Sequence, residues 1–296
     1  MNQKVALVLG SGGARGTAHI GVIRELISQG YEITSISGSS MGALVGGVYA
    51  AGKLDEYEEW LCNLDRMDVF NLVDFTLSTN GIIKADKVLK EIKTFIPDQK
   101  IEDLPISFTA IATDIRNKKE KVFSSGNLWE AIRASVSIPL VLTPTKINNL
   151  HFVDGGVLNP VPVNHVKRVQ GDLLIAVNVN AQIPMHISGE TEKKPNYIDQ
   201  LKNGRLKGFR EKLAQLIPVN KKDSIGYFQL MTDTTSLMLS QISKLTLELN
   251  PPDLVIDISR QTCGTFDFHK AKEVVEIGKI VTSECIEKFN GKRKIQ

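Results

Sequence analysis

Cysteine is scarce in this sequence. The three cysteines, Cys62, Cys263 and Cys285, stand far apart and form no Cys-x-x-Cys pair. This spacing argues against a disulfide framework and a zinc knuckle, and it is typical of a protein kept in a reducing compartment. Histidine, cysteine and aspartate also form no cluster with the spacing of a metal site. We therefore expect no metal ion.

Long apolar runs are also missing. The longest one, MGALVGGVYAAG at residues 41–52, is shorter than the ~18 residues that a membrane-spanning helix needs. The apolar run near the N-terminus is too short for the core of a signal peptide. These absences favour a cytoplasmic protein, and they leave peripheral contact with a membrane open.

Neither sign of charge is in large excess. The formal net charge is +3 over 296 residues, which gives no reason to expect nucleic acid as a partner, and 42% of the residues are hydrophobic, enough for a sizeable core. Residues 185–225 are an exception, because nine basic and five acidic side chains give this polar stretch a net charge of +4. We interpret it as an insertion or flap, either a solvated loop or a surface attracted to anionic lipid headgroups.

The first fifty residues alternate strands and helices. The apolar run at residues 4–9 predicts a buried strand, and the apolar spacing in residues 17–30 predicts a helix. A second strand is predicted at residues 32–37 and a second helix at residues 41–53. Two strands that are each followed by a helix indicate a parallel sheet with crossover helices.

The rest of the chain continues the α/β pattern. We predict further strands at residues 106–115, 119–125, 172–180 and 252–259, the first two paired, and further helices at residues 54–64, 84–96, 127–137 and 267–289. The sequence contains no internal repeat. We expect one domain over residues 1–296, with its core motifs in 4–180, the polar insertion after them, and C-terminal helices and a strand in 226–290.

The stretch GSSMG is a Gly-x-Ser-x-Gly motif with Ser40 at its centre. It stands where the second strand gives way to the second helix, the context in which this motif presents a serine at a sharp turn. Gly38 and Gly42 leave room for backbone to pack against that turn, and a helix N-terminus favours negative charge that develops nearby. The two other serines of the turn lack such flanking glycines. We predict that Ser40 is a nucleophile.

A second glycine-rich turn, GSGGARG at residues 10–16, follows the first strand. A dinucleotide-binding fingerprint would need glycine where Arg15 stands, and no acidic residue closes the following strand. No Gly-Lys-Ser/Thr follows, so the turn is not a Walker loop. Two interpretations remain: a loop whose backbone amides bind an oxyanion, and a glycine turn that merely packs tightly.

A third motif, FVDGGVLNPVPV, places Asp154 before Gly155 and Gly156. An aspartate in this setting is often only a turn former. A nucleophilic serine needs a base, however, and Asp154 can serve directly if its carboxylate lies within hydrogen-bond reach of the Ser40 hydroxyl.

Histidine is the usual alternative base, and the five histidines are scattered without a partner pattern. His269 follows the serine and the aspartate in the chain order of α/β-hydrolases, but its place at the start of a long helix favours a solvated surface residue. We expect His19, on the first helix, at the surface or in turn packing.

In combination and order, these motifs resemble those of the patatin-like phospholipases, most closely their compact bacterial members. The resemblance extends to ASVSIPLVLTP at residues 134–144 and to FDFHKAKEVVEIG near the C-terminus, and it covers residues 4 to 180 well. It implies an α/β fold, a three-layer α/β/α sandwich with a mainly parallel central sheet. It also implies a Ser–Asp dyad in place of a triad, which needs no cofactor.

The resemblance assigns roles to individual residues. It implies that Ser40 is the nucleophile, that Asp154 is the base, and that the backbone amides of Gly12, Gly13 and Ala14 form an oxyanion hole. One position departs from the family pattern, since Ser11 stands where many members have a third consecutive glycine. The supporting positions are Gly10, Arg15 and Gly16 in the first motif, Gly38 and Gly42 around the serine, and Gly155 and Gly156 after the aspartate.

The expected activity is that of a serine acyl hydrolase acting on a phospholipid, a lysophospholipid or another fatty acyl ester. The sequence leaves two alternatives open: an acyltransferase that uses the same dyad, and a regulatory scaffold with a vestigial site. A lipid or acyl ester is the expected partner, whereas the oligomeric state does not follow from the sequence.

Overall fold

The computed structural model describes residues 2–72, 86–139, 141–185 and 227–293. The strands are β1 (Gln3–Leu9), β2 (Tyr31–Ser39), β3 (Ser107–Asp114), β4 (Lys119–Phe123), β5 (Thr145–Ile147), β6 (Leu150–Asp154), β7 (Leu173–Ala181) and β8 (Leu254–Ser259). The helices are α1 (Ala18–Ser28), α2 (Met41–Ala50), α3 (Leu54–Cys62), α4 (Arg66–Leu72), α5 (Asp86–Thr94), α6 (Leu128–Ser135), α7 (Tyr227–Leu249) and α8 (Ala271–Arg293).

Residues 1–185 and 238–296 form one compact unit. Of the second unit, residues 186–237, only the first half of α7 is described. The basic insertion predicted at residues 185–225 lies outside the described residues, apart from its first residue.

The described strands form one mostly parallel sheet in the order β5-β6-β3-β2-β1-β7-β8, with β4 paired to β3. The four pairs at its centre and along one side, β2–β3, β1–β2, β1–β7 and β7–β8, are parallel. The pairs of β3 with β4 and with β6, and of β5 with β6, are antiparallel. The mainly parallel sheet expected from the alternation of strands and helices is confirmed, as is the pairing of β3 with β4.

Both faces of the sheet are covered, which is why its central strands are apolar throughout. Val5, Leu7 and Leu9 of β1 point into the larger core, where side chains of α1, α2 and α8 pack. Because side chains alternate along a strand, Ala6 and Val8 face the opposite side. There they contact a smaller cluster from residues 161–176, against which α7 also packs. The result is the three-layer α/β/α sandwich.

The short hairpin β5–β6 was not predicted from the sequence. Its turn consists of Asn148 and Asn149, with φ angles of 48° and 63°, and asparagine is one of the few residues that adopt such angles readily. The Asn-Asn pair was the signal that could have revealed it. The hairpin matters because β6 runs antiparallel to β3 and pairs Asp154 with Ala112. Helix α4 was likewise missed.

Among the described residues, no helix combines the length and the apolar character needed to cross a membrane.

Candidate active site

Ser40 lies at the junction of β2 and α2, as the sequence predicts. Its φ of 55° and ψ of −123° are unfavourable for a residue with a side chain, and its surroundings hold it in this conformation. Both flanking glycines are required by close packing. A Cβ on Gly38 would lie 2.5 Å from the backbone of Gly42, and a Cβ on Gly42 would lie 2.0 Å from the carbonyl oxygen of Leu9. The turn therefore depends on the whole Gly-x-Ser-x-Gly motif.

Ser135 supports this turn and was not identified from the sequence. The Ser40 amide donates a hydrogen bond to the Ser135 hydroxyl oxygen at 2.9 Å. The same hydroxyl donates to the carbonyl oxygen of Ile111 at 2.5 Å, and Ser135 is fully buried at the end of α6. One hydroxyl thus connects the strained turn to β3.

Replacing Ser135 by alanine is expected to lower the free energy of unfolding by about 1–3 kcal/mol, because it removes two buried hydrogen bonds, one from the Ser40 amide and one to the Ile111 carbonyl oxygen. Chemical denaturation measures this loss. Ser28→Ala is the matched control, since that hydroxyl is exposed and bonds only within the end of α1. Equal stabilities of the two variants would contradict the role of Ser135.

Asp154 is the partner of Ser40. The Ser40 hydroxyl donates to Asp154 Oδ2 at 2.5 Å, and the Gly156 amide donates to Oδ1 at 2.7 Å. Both the serine and the aspartate are nearly inaccessible, with exposed fractions of 4% and 6%. Burial disfavours the charged carboxylate and raises the pKa of Asp154 to about 6, although its two hydrogen bonds act in the opposite direction. A carboxyl group with this pKa can both take and return a proton near neutral pH.

The GSGGARG turn is fixed at several points. The Gly10 amide donates to the carbonyl oxygen of Val177, and the Ser11 amide donates to that of Pro160. The Ala14 amide donates to the carbonyl oxygen of Thr265 at 2.8 Å. This contact departs from the expectation for Ala14, because an amide engaged within the protein is not available to an oxyanion.

The amides of Gly12 and Gly13 differ from that of Ala14. Outside regular helix hydrogen bonds, they donate to no other described residue. Gly13 has a φ of 56°, a left-handed conformation that favours glycine, and a Cβ there would lie 2.6 Å from the Thr265 carbonyl oxygen. The loop can therefore present two backbone donors where a side chain would not fit.

The three motifs meet at one place. A Cβ on Gly16 would lie 2.5 Å from Met41, the neighbour of the serine, so the glycine turn packs directly against the start of α2. A Cβ on Gly156 would lie 2.7 Å from the Ser11 hydroxyl, so the residues after the aspartate touch the same turn. The structure thus brings a hydroxyl, a carboxylate and a glycine loop from three distant parts of the chain into contact.

The described histidines take no part in this arrangement. His19 is completely buried rather than at the surface, and its Nε2–H donates to the Gly10 carbonyl oxygen at 2.7 Å. Burial lowers the pKa of His19 to about 4, so its ring is neutral at pH 7. His269 accepts a hydrogen bond from Arg66, and His165 pairs with Glu120. No described histidine hydrogen bonds to the serine or the aspartate.

Two surface clefts, with volumes of about 370 and about 580 Å³, are lined by other residues than the Ser–Asp pair. In the described part of the chain, no group of three or more histidine, cysteine, aspartate and glutamate side chains could hold a metal ion.

Comparison with known proteins gives a consistent family. The sequence profile described as patatin-like phospholipase matches residues 7–167. An uncharacterised NTE family protein of Mycobacterium tuberculosis is 34% identical over 97% of this chain and 92% of its own length. Lysophospholipase NTE1 of Kluyveromyces lactis is 28% identical over 93% of this chain, which corresponds to 19% of that much longer protein.

Among solved structures, VipD from Legionella pneumophila aligns with 97% of this chain and 67% of its own chain. The sequence identity is 13% and the TM-score is 0.46, which is too distant a likeness to bear on the site.

Proposed function

Because this chain belongs to the patatin-like phospholipase family and is a lipid acyl hydrolase of that type, we propose that it works through a dyad of Ser40 and Asp154. The observation that carries this proposal is the 2.5 Å hydrogen bond from the Ser40 hydroxyl to Asp154 Oδ2. A serine needs a base within hydrogen-bond reach, and this carboxylate meets that requirement without a histidine.

The first half of the reaction transfers the acyl group to the enzyme. Ser40 Oγ attacks the ester carbonyl carbon while its proton passes to Asp154 Oδ2. The carbonyl oxygen becomes negative, and the amides of Gly12 and Gly13 hold it as an oxyanion hole. When the tetrahedral intermediate collapses, the bond to the alcohol breaks, the alcohol leaves with the proton from Asp154, and the acyl group remains on Ser40.

The second half releases the acyl group. Asp154 takes a proton from a water molecule as that water attacks the acyl-serine, and the same two amides stabilise the second oxyanion. Collapse frees the fatty acid and returns the proton to Ser40 Oγ. One carboxylate thus serves as base and acid in turn, which is favourable because its pKa of about 6 lies near neutral pH.

We further propose a lysophospholipid as substrate. The name of the lysophospholipase relative supports this choice, since the aligned region of that protein spans 93% of the present chain. The experiment is to incubate the purified chain with lysophosphatidylcholine, phosphatidylcholine vesicles and a p-nitrophenyl acyl ester, and to measure released fatty acid. If fatty acid is released from the p-nitrophenyl ester but from neither lipid, the proposal of a lysophospholipid substrate is wrong, whereas the proposed Ser–Asp dyad is unaffected. If an alcohol is added and its acyl ester forms in place of free fatty acid, the result would indicate an acyltransferase.

Labelling tests the nucleophile independently of the substrate. A fluorophosphonate forms a covalent bond with an activated serine, and we expect the labelled peptide to be the one that contains Ser40. Labelling at another serine, or no labelling of a folded protein that hydrolyses the ester, would contradict the assignment.

The activity should depend on pH through Asp154. The base acts only when it is ionised, so kcat/KM is expected to rise as pH increases through about 6 and to level off above about pH 7. Below the pKa the rate should fall about tenfold per pH unit. A p-nitrophenyl ester without ionisable groups is the suitable substrate, with the enzyme-free rate subtracted at each pH. A profile that is flat between pH 5 and 8 would contradict this role.

A further inference from the structure

Asn180 lies on β7, the strand next to β1, and its side chain holds the glycine turn that follows β1. It lies near the end of β7, is 9% exposed, and was not singled out from the sequence. Its side-chain Nδ2 donates to the carbonyl oxygen of Ser11 at 2.5 Å. This is a buried contact between residues 169 positions apart in the chain.

The backbone at Asn180 is irregular. Strand β7 pairs regularly with β8 up to Asn178, which lies opposite Asp257, and the register then shifts before Ala181 pairs with Ser259. The shift leaves Asn180 inside a bulge. Bulges are frequent beside active sites, because they re-aim one side chain without ending the strand.

Arg15 determines which way the Asn180 amide faces. The Nε and Nη2 groups of Arg15 both donate to Asn180 Oδ1, at 3.1 and 2.8 Å. An arginine can only donate, so the oxygen of the amide must face it and the nitrogen must face Ser11. The guanidinium is itself held by the carbonyl oxygen of Cys263. The hydrogen bonds from Arg15 therefore fix the Asn180 amide in one orientation.

The hydrogen bond from Asn180 fixes the orientation of one peptide group, the one between Ser11 and Gly12. The Ser11 carbonyl and the Gly12 N–H belong to the same planar trans peptide, so they point in opposite directions. Fixing the carbonyl toward Asn180 fixes the N–H away from it. The preceding peptide group is constrained at both ends, because its Ser11 amide donates to the carbonyl oxygen of Pro160 and its Gly10 carbonyl oxygen accepts from His19.

We propose that Asn180, oriented by Arg15, is a positioning residue that aims the Gly12 N–H at the developing oxyanion. This role rests on the proposed function, since it requires that the Gly12 amide stabilises the transition state. A positioning residue of this kind should affect the transition state far more than the ground state, because the ester carbonyl accepts a weaker hydrogen bond than the oxyanion.

Asn180→Asp is the principal test. The carboxylate still accepts both hydrogen bonds from Arg15, but it cannot donate to Ser11 and repels that carbonyl oxygen. We expect kcat for a p-nitrophenyl acyl ester to fall about 10- to 100-fold, with KM changed by less than about twofold. Asn63→Asp makes the same chemical change at an exposed position after α3 and should leave kcat unaltered.

A second readout separates positioning from a general structural effect. A trifluoromethyl ketone binds a serine hydrolase as a tetrahedral oxyanion, so its inhibition constant should rise in parallel with the loss of kcat. A merely loosened fold would lower the thermal midpoint and the folded fraction, without a selective loss for the tetrahedral inhibitor.

Asn180→Ala provides the same test if the aspartate variant does not fold. Arg15→Met should lower kcat less in the Asn180→Ala background than in the parent, because the part of its effect that passes through the Asn180 amide is already lost. A folded Asn180 variant with kcat and inhibitor affinity like the parent would overturn the role of Asn180. If Asn180 proves to have no such role but Ser40→Ala abolishes turnover in the same assay, the proposed Ser–Asp dyad is still supported.

Discussion

Replacing Ser40 by alanine is expected to lower kcat for a p-nitrophenyl acyl ester about 10⁴- to 10⁶-fold, the loss found when the nucleophile of a serine hydrolase is removed. The cause is direct, since no acyl-enzyme forms without the hydroxyl. The fold should persist, because the Ser40 amide that anchors the turn to Ser135 is unchanged. Initial rates at saturating ester measure the effect, and circular dichroism verifies folding.

The chain offers a close control for this variant. Ser39 precedes the proposed nucleophile, is fully buried, and its hydroxyl has no hydrogen-bond partner among the described residues. Ser39→Ala makes the same change one position earlier and should keep kcat within about threefold of the parent, because that hydroxyl is bonded to nothing that it could position. Turnover retained in Ser40→Ala, or lost equally in both variants, would eliminate Ser40 as the nucleophile.

Asp154→Asn is expected to lower kcat about 10³- to 10⁴-fold, comparable to the loss of the aspartate in other serine hydrolases. The amide cannot take the serine proton. Moreover, the Gly156 amide requires an oxygen acceptor, so the new NH₂ group must face the Ser40 hydroxyl and donate to it. The hydroxyl then has no acceptor for its own proton at that position.

The same substitution should stabilise the protein. The folded pKa of about 6 lies above the reference value of 3.8, so the folded state binds the proton more tightly than the unfolded state. The stabilisation from this proton is fully present below about pH 4 and is lost as pH rises through about 6. At neutral pH the buried carboxylate therefore lowers the free energy of unfolding by up to about 3 kcal/mol, and asparagine, which carries no charge, does not.

Thermal midpoints over a pH series measure this effect. Asp154→Asn should melt above the parent at pH 8, with a difference that shrinks toward pH 4. Asp114→Asn should show the opposite trend, because hydrogen bonds from Asn117 lower the pKa of Asp114 and its charge stabilises the fold at neutral pH. An Asp154→Asn variant that keeps a tenth or more of kcat, or that melts lower than the parent at pH 8, would contradict the proposed base.

The sequence identified the residues whose role depends on their immediate neighbours. Ser40 was found because a strand, a glycine-flanked serine and a helix are consecutive, and this order largely fixes the backbone of the turn. The parallel part of the sheet was predicted for a similar reason, since apolar runs of strand length alternate with helical spacing. Asp154 was proposed by the need for a base and by the family resemblance, and no local pattern located it beside the serine.

Contacts between residues far apart in the chain could not be predicted from the sequence. Ser135 lies on a helix whose sequence indicates only an amphipathic helix, and Asn180 lies near the end of a strand whose sequence indicates only a buried strand. The Ala14 amide donates a hydrogen bond to the carbonyl oxygen of Thr265. The His19 ring donates one to the carbonyl oxygen of Gly10, inside the glycine turn. In each case at least one partner is a backbone group, which carries no signature in the sequence.

The chain by itself determined an α/β protein with a strained serine turn, a glycine-rich turn and an aspartate before two glycines. These follow from local sterics, because glycine has no Cβ and so tolerates the close approaches of backbone that such turns need. Only the tertiary structure decided that the aspartate meets the serine and which amides remain unengaged. The short antiparallel hairpin sets β6 beside β3. Among the described residues, hydrogen bonds to distant segments engage the amides of Gly10, Ser11 and Ala14 but not those of Gly12 and Gly13.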